Sequence, residues 1–263
     1  MLDLNLADLR QYVEQLNYGP LFVTVSGAHL YGFPSSDSDV DLRGCHQLPL
    51  REVVGLDLPN LTLERESDLR GTEVELVSHE IVKYLQLLLR NNGYILEQVF
   101  SPIVVLGQAF LDELRPLARG CITRHHYHHY RGFYATQCKL LAKENPKRAK
   151  PVLYAYRVLM TGIHLLQTGE VEANLLKLNE HFRFGFLDEL IARKVEGENI
   201  SVGDLDWTFH ERRLAELEAQ LDRAFAESPL PDDRDRKPIS EFLVSLRLNS
   251  PPARTPTGKP PNG

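Results

Sequence analysis

The stretch SGAHLYGFPSSDSDVDLRG, residues 26–44, decides the fold and contains the most informative pair of side chains in the chain. Asp39 and Asp41 are separated by a single apolar residue, Val40. If this segment is a strand, residues two apart face the same side of the sheet, so both carboxylates enter one small volume. Their mutual repulsion needs a counter-charge, and a divalent cation would supply it.

Residues on either side of the aspartates extend this interpretation. Gly27 and Gly32 flank a tight segment where a short helix would direct free backbone N–H groups at phosphate oxygens. A third acidic residue is expected on the next strand, predicted over residues 72–77. Glu75 is the first choice and Glu73 competes with it, because residues two apart face the same side. Carboxylate oxygens suit Mg²⁺, which keeps part of its shell for phosphates and water.

Residues 26–44 resemble the signature of the DNA polymerase beta nucleotidyltransferase superfamily. More narrowly, they are similar to predicted nucleotidyltransferases that include an RNA-repair-associated branch. The similarity continues into residues 75–83 and 92–102 and more weakly into residues 150–169, so that it covers roughly two thirds of the chain. It implies an enzyme that moves a nucleoside monophosphate from a nucleoside triphosphate to an acceptor hydroxyl, with release of diphosphate, by a two-metal mechanism.

The resemblance also implies roles for particular residues and cofactors. It predicts two Mg²⁺ or Mn²⁺ ions, and ATP is the default nucleotide because of its abundance. The resemblance implies that the catalytic metal ligands are Asp39, Asp41 and Glu75. It implies that the nucleotide contacts are Ser26, Gly27, Ala28, Lys83, Lys150 and Arg157. Each of these basic side chains also suits a solvated helix charge, and Arg43, just after the aspartates, has the same two interpretations.

One position departs from the pattern of the superfamily. The turn normally reads Gly-Ser, whose hydroxyl contacts the triphosphate, whereas this chain has Ala28 after Gly27. Loss of one hydrogen bond to a charged group costs about 1.5–3 kcal/mol, which weakens nucleotide binding without eliminating it. Ser26, Ser35 or Ser36 would be a substitute, or the backbone alone would hold the phosphates. A non-catalytic nucleotide-binding regulatory module is therefore the rival interpretation.

The pattern predicts an α+β protein. A nucleotidyltransferase domain with a mixed β-sheet and flanking helices is expected over residues 1–107, and a helical nucleotide- or acceptor-binding domain over residues 108–227. Residues 228–263 are expected to form a linker, a short ordered element and a disordered Pro-rich tail. The predicted elements are strands over 21–25, 38–44 and 72–77, a helix N-capped by Ser78, a surface excursion over 47–70, and helices over 108–118, 121–143, 148–168, 172–196 with a break at Gly185, and 204–227.

Composition limits the classes of function. The chain has 263 residues and a net charge of −6, which counts against a general nucleic-acid coat. Residues 124–150 are nevertheless basic, so an RNA end is weakly preferred as acceptor over a protein or small-molecule hydroxyl. The 3 cysteines predict reduced thiols, and the absence of a long apolar run predicts a cytoplasmic protein without membrane contact. The oligomeric state is left open.

A histidine cluster supports a third interpretation. His125 and His129 are four residues apart and share a face if the segment is helical, as metal-binding histidines do. No third ligand is evident for such a metal-dependent hydrolase. The neighbouring Tyr127, Tyr130 and Arg131 equally suit stacking on a base, and a plain packing helix is a further alternative.

Overall fold

A mixed five-stranded sheet forms the N-terminal part of the protein. The computed structural model describes residues 5–16, 18–145, 147–195 and 207–249. Within these ranges the strands lie in the order β3-β4-β2-β1-β5. Strands β2 and β4 are parallel and the other neighbours are antiparallel. The strands are β1 Pro20–Val25, β2 Val40–His46, β3 Thr62–Leu69, β4 Thr72–Glu80 and β5 Val104–Leu106.

Helices flank the sheet and make up the C-terminal half. The N-terminal helices are α1 Leu6–Gln15, α2 Gly27–Tyr31, α3 Leu50–Val53, α4 Ile81–Leu88 and α5 Gly93–Val99. The later helices are α6 Gln108–Arg119, α7 Tyr127–Lys143, α8 Ala149–Thr168, α9 Leu175–Phe182, α10 Phe186–Val195, α11 Trp207–Glu227 and α12 Lys237–Asn249. No helix among the described residues has both the length and the apolar character needed to cross a bilayer.

The two faces of the sheet contribute to separate hydrophobic clusters. On one face, Leu9 and Val13 of α1 pack with strand residues that include Val40 and Leu42. On the other face, Phe22 of β1 belongs to a larger cluster that extends through α4, α5 and α6 to the buried side chains of α8. This arrangement confirms the α+β class and the helical C-terminal region. The boundary between residues 107 and 108 remains a prediction.

Most of the predicted elements are confirmed. The helices expected from residue 108 onward correspond to α6 through α11, and Arg183 in the left-handed region ends α9 next to the expected break at Gly185. A single 3₁₀ turn, Arg124–His126, precedes α7. The short element expected near the end of the chain is α12. The predicted tail, residues 250–263, lies outside the described residues.

The predicted helix start at Ser78 is wrong. Strand β4 continues through Ser78, which pairs with Gly44 of β2, and the Ser78 hydroxyl is 2.9 Å from Nδ1 of His46. Glu80 caps α4 instead, because its Oε2 accepts a hydrogen bond of 2.8 Å from the backbone N–H of Val82. A carboxylate at this position satisfies a donor of the first turn as well as a serine would.

The surface excursion expected over residues 47–70 contains α3 and the strand β3. Half of the eight residues of β3 are exposed, among them Glu64, Arg65 and Glu66, and none is buried, so the strand lacks the apolar alternation that reveals a half-buried strand. The strand forms because the tight turn at Arg70 and Gly71, both with positive φ, returns the chain antiparallel to β4. Charged side chains are typical of an edge strand, where they oppose pairing with other chains.

Two buried ion pairs connect the helices to the sheet region. Arg247 of α12 donates to Oε1 of Glu80 and, over 2.9 Å, to the backbone carbonyl of Leu48. Arg157 of α8 donates to Oε1 of Glu97 in α5 over 2.9 Å, and both side chains are almost completely buried. The guanidinium of Arg157 also lies 3.8 Å from the ring centroid of Tyr31 in α2. These contacts join α2, α5 and α8.

We expect replacement of Arg157 by Met to lower the free energy of unfolding by about 3–5 kcal/mol, because Glu97 would be left as an unpaired buried charge. Urea denaturation followed by circular dichroism would measure this change. The matched control is Arg10→Ala, which breaks an ion pair to Glu14 whose side chains are 62% and 51% exposed. The control should cost less than about 0.5 kcal/mol, and equal losses in both variants would contradict the assignment.

Candidate active site

Two carboxylates lie side by side at the start of strands β2 and β4. Asp41 and Glu75 are register partners in this parallel pair, and both face away from the cluster that contains Val40 and Leu42. Asp39 directly precedes β2. The strand alternation expected from the sequence therefore brings Asp41 and Glu75 onto one face of the sheet.

Arg43 lies between these two carboxylates. Its Nη2 atom is 2.6 Å from Oδ1 of Asp41 and 3.3 Å from Oε1 of Glu75. Its Nη1 atom donates to the backbone carbonyl of Leu42 over 3.1 Å. Asp41 and Arg43 share a face because they are two residues apart on β2. A guanidinium from the same strand thus provides the counter-charge that the carboxylates require.

The charges around Asp41 act on its pKa in opposite directions. Burial raises this pKa above its ordinary value, and the neighbouring carboxylates of Asp39 and Glu75 raise it further. The positive charges of Arg43 and Lys150 lower it. The net shift is upward because burial and the two neighbouring carboxylates outweigh the positive charges.

Gly27 lies directly against Asp41. A Cβ atom at position 27 would be 1.8 Å from Oδ2 of Asp41, and the φ angle of Gly27 is +60°. The backbone N–H of Ser26 donates to the carbonyl oxygen of Asp41 over 2.8 Å. The glycine turn and the aspartate strand are therefore in direct contact, as the phosphate-binding interpretation requires.

The serines considered as substitutes for the missing hydroxyl at Ala28 have different environments. Ala28 itself is buried within α2. The Ser35 hydroxyl is 3.0 Å from that of Ser38 and is also bonded to Lys194, so it anchors the loop before Asp39. Ser26 caps α2 without a side-chain hydrogen bond to the helix. Its position against the turn makes Ser26 the best placed of the serines.

Lys194 is a site residue that the sequence analysis did not identify. This side chain of α10 is buried, and its Nζ donates to the hydroxyls of Ser35 and Ser38 over 2.7 and 2.9 Å. It therefore holds the loop that leads into Asp39. Burial lowers the pKa of the adjacent His29, the Asp39 charge opposes this shift, and the Lys194 charge adds to it. More than 150 residues separate Lys194 from Ser35, so no local pattern could have indicated the contact.

The predicted basic residues have three different locations. Lys150, at the start of α8, is close enough to Asp41 to lower its pKa. Lys83 of α4 donates to the hydroxyl of Thr62, the register partner of His79, which lies about 13 Å along β4 from Glu75 at 3.3 Å per residue. Arg157 is fully buried against Glu97. The nucleotide contacts predicted for Lys83 and Arg157 do not fit these locations, whereas Lys150 lies at the site.

The histidine cluster does not form the predicted metal-binding face. His125 lies in the 3₁₀ turn and stacks on His128. His129 lies in the following helix, α7, and makes edge-on ring contacts with Tyr94 of α5 and with its neighbour Tyr130. Across the part of the chain that the structure describes, no group of three His, Cys, Asp or Glu side chains has an arrangement that could hold a metal ion. This statement includes the three acids around Asp41, two of which are bonded to Arg43.

Two surface clefts lie away from the carboxylates. One has a volume of about 400 Å³ and lies between α8 and α9, where His164 and His181 face each other. The other has a volume of about 470 Å³ and lies under α1, on the opposite face of the sheet from Asp41. The chemistry of the Asp41 site, and not the size of a cleft, makes it the candidate active site.

We expect Gly27→Ala to lower the free energy of unfolding by about 1–3 kcal/mol, since it combines a positive φ with a clash against Asp41. Thermal and urea unfolding would measure the loss. The matched control is Gly132→Ala in α7, where nothing lies within 4 Å of the added methyl group. The control should gain about 0.5–1 kcal/mol from helix propensity, and a neutral Gly27→Ala would contradict the contact.

A second prediction concerns His126, which is buried with Nδ1 3.0 Å from the carbonyl oxygen of Thr123. Burial lowers its pKa to about 4. Between pH 6.5 and 4 the unfolded chain binds the proton and the folded chain does not, so stability falls as the pH decreases through this range. The loss from this residue is about 2–3 kcal/mol. His126→Gln should flatten the dependence of unfolding free energy on pH, whereas His128→Gln, at an exposed position, should leave the slope unchanged.

Comparison with known proteins places these observations in a family context. The family model described as RNA repair pathway DNA polymerase beta family matches residues 1–245. Uncharacterized protein MJ0002 from Methanocaldococcus jannaschii is 33% identical over 155 residues, which are 59% of this chain and 63% of that protein. The chain thus matches less than two thirds of the length of this relative.

A search of solved structures finds a nucleotidyltransferase-like protein from Exiguobacterium sibiricum. The alignment covers 84% of this chain and 74% of the other, with 12% sequence identity and a TM-score of 0.34. At this level of similarity the match carries no argument about the site.

Proposed function

Because the chain belongs to the RNA repair pathway DNA polymerase beta family, we propose that it is a nucleotidyltransferase that moves a nucleoside monophosphate from a nucleoside triphosphate to an acceptor hydroxyl and releases diphosphate. The observation that carries this proposal is the register pairing of Asp41 with Glu75 beside the turn at Gly27, with Asp39 directly before strand β2. Polymerase-type chemistry requires phosphate-binding and carboxylate groups in direct proximity, and the contact between Gly27 and Asp41 supports this arrangement.

The donor set suits a hard divalent cation by its chemistry, although its present arrangement, with Arg43 bonded to two of the acids, does not hold one. Carboxylate oxygens of Asp39, Asp41 and Glu75 are the ligands that Mg²⁺ and Mn²⁺ prefer, provided that Arg43 leaves the two oxygens to which it is bonded. Two such ions, when bound, would activate the acceptor hydroxyl and stabilise the departing diphosphate. In the proposal Asp39, Asp41 and Glu75 are the residues that would hold these ions.

Other residues of the chain would bind and orient the nucleotide. The backbone N–H groups that begin α2 have no partner within a helix and are suited to phosphate oxygens. Gly27 allows the phosphates to approach these groups closely, and Lys150 adds a positive charge on the α8 side of Asp41. Lys194 and the two serines that it bonds would keep Asp39 oriented.

The charge distribution supports an RNA acceptor that approaches from the helical side. On the sheet side, Glu66 of β3 is the register partner of Glu75, and Asp68 is the partner of Glu73, so this side repels phosphates. Near the junction of α7 and α8 the chain is basic. The residues concerned are Lys139, Lys143, Lys147, Arg148 and Lys150. A polyanion would be attracted to this junction and guided toward Asp41.

The histidine and tyrosine run contributes less to this proposal than the sequence suggests. The Tyr127 hydroxyl donates to Asp222 over 2.8 Å, and Arg131 is bonded to Glu218, both on α11. These side chains therefore support the packing of α7 on α11. The basic junction, and not this run, is the feature that favours RNA over a protein or small-molecule acceptor.

The second candidate is a nucleotide-binding regulatory module without turnover. Two observations favour it: Ala28 offers no hydroxyl, and Arg43 is bonded to the carboxylates that catalysis needs. The presence of both aspartates and of Glu75 in register with Asp41 favours the enzyme.

The test is transfer of label from each α-³²P nucleoside triphosphate to RNA or protein acceptors, with Mg²⁺ or Mn²⁺ and with measurement of diphosphate. We expect Asp39→Ala, Asp41→Ala and Glu75→Gln to reduce transfer by at least about 100-fold, because each removes a carboxylate that would bind the divalent cations. The matched control is Glu73→Gln, two residues from Glu75 on the same strand face, which should change the rate by less than about threefold.

The outcomes separate the candidates. Equal losses in Glu73→Gln and Glu75→Gln would remove the distinction between the two acids. Nucleotide binding without release of diphosphate from the nucleoside triphosphate, whichever acceptor is present, would support the regulatory module. Transfer to protein and not to RNA would contradict the acceptor assignment while leaving the reaction type intact.

A further inference from the structure

We propose that Arg43 couples the binding of the divalent cation to the binding of the nucleoside triphosphate. The Arg43 guanidinium is paired with Asp41 and Glu75 when neither the cation nor the triphosphate is present. It pairs with the phosphates instead when the cation and the triphosphate both bind. This inference rests on the proposed function and specifies how its site is regulated. It explains why a catalytic carboxylate pair is bonded to a cation of its own chain.

The geometry makes Arg43 a competitor for the same oxygen atoms. Its Nη2 contacts Oδ1 of Asp41 and Oε1 of Glu75, at 2.6 and 3.3 Å. The second oxygen of Asp41, Oδ2, lies toward Gly27 and the turn. A cation shared by Asp41 and Glu75 would therefore have to displace the guanidinium from the space between them, because two positive charges cannot occupy it together.

Arg43 also has the freedom to leave. Its side chain is 22% exposed, in contrast to the fully buried Arg157, and the Glu75 side chain is 41% exposed. The Asp41 side chain is only 17% exposed, so solvent screens its pair with Arg43 less than the pair with Glu75, and rupture of both pairs costs less than rupture of a fully buried one. Nη1 donates to the backbone carbonyl of Leu42 over 3.1 Å and, across the strand pair, to that of Glu75 over a long 3.5 Å, so rotation of the side chain must break this second bond as well.

The triphosphate would provide the new partner. Phosphates bound at the Gly27 turn would lie against Asp41, within the same small volume as Arg43. A guanidinium fork pairs with phosphate oxygens in a bidentate manner and is suited to this exchange. A cation that binds alone displaces Arg43 and leaves its guanidinium without an anionic partner. A cation that binds together with a triphosphate also displaces Arg43, but the phosphates then pair with the guanidinium. Each ligand should therefore strengthen the binding of the other by the same factor.

The test is the affinity for Mn²⁺, measured by electron paramagnetic resonance and calorimetry with and without α,β-methylene ATP. For the unaltered protein we expect weak binding of Mn²⁺ alone and tighter binding with the analogue. Arg43→Gln should bind Mn²⁺ alone about threefold to tenfold more tightly, and the analogue should strengthen this binding less than in the unaltered protein. Arg43→Lys should be intermediate, since it keeps the charge but loses the fork.

Arg65→Gln is the matched control. Arg65 lies on β3 and is the register partner of Leu76 on β4. The Leu76 side chain belongs to the hydrophobic cluster under α1. Cross-strand partners share a face, so Arg65 lies on the other side of the sheet from Asp41. The control removes the same charge and should leave both Mn²⁺ affinities unchanged. Circular dichroism and thermal unfolding would establish that each variant is folded.

A folded Arg43→Gln variant with unchanged or weaker affinity for Mn²⁺ alone would overturn the inference. Asp41→Asn and Glu75→Gln separate this result from failure of the proposed function. If both weaken Mn²⁺ binding while Arg43→Gln has no effect, the carboxylates bind the ion and only the role of Arg43 is wrong. If neither carboxylate variant changes Mn²⁺ binding, the ion binds elsewhere, and the inference and the proposed function are both overturned.

Discussion

The contact between the backbone at Gly27 and the carboxylate of Asp41 is the constraint on which the site depends. Any side chain at position 27 would occupy the space of an Asp41 oxygen. The absence of a Cβ atom allows the turn before α2 to lie on the strand that carries the aspartates, and the Ser26 N–H fixes this approach through the Asp41 carbonyl. The glycine turn and a carboxylate pair are thereby combined in one volume.

The parts of the site that follow from strand periodicity could be predicted from the sequence. Alternation along residues 72–77 predicts that Glu73 and Glu75 share a face, and the register of β2 with β4 shows that Glu75 is the one beside Asp41. Alternation fails where no apolar face exists, which is why the charged edge strand β3 was not predicted. It also does not show where a strand ends, so Ser78 was interpreted as a helix cap although its backbone is paired in the sheet.

Contacts between distant parts of the chain could not be predicted. Lys194 belongs to a helix that the sequence indicates only as amphipathic, and its bonds to Ser35 and Ser38 depend on how α10 packs. Arg157 was correctly placed on a helix, but its burial against Glu97 depends on the docking of α8 on α5. The sequence identifies a charged residue without indicating whether its partner is a ligand, solvent or another side chain of the protein.

The bond from Lys194 to the loop before Asp39 limits how far the N-terminal half of the chain can be separated from the helical half. The loop that orients the first aspartate is held by α10, and Glu80 at the start of α4 is held by Arg247 of α12. A fragment that ends near residue 107 would retain every carboxylate of the proposed site but would lose both of these supports. The helical half therefore supports the carboxylate site structurally, so the two halves of the chain would have to change together for the site to keep its geometry.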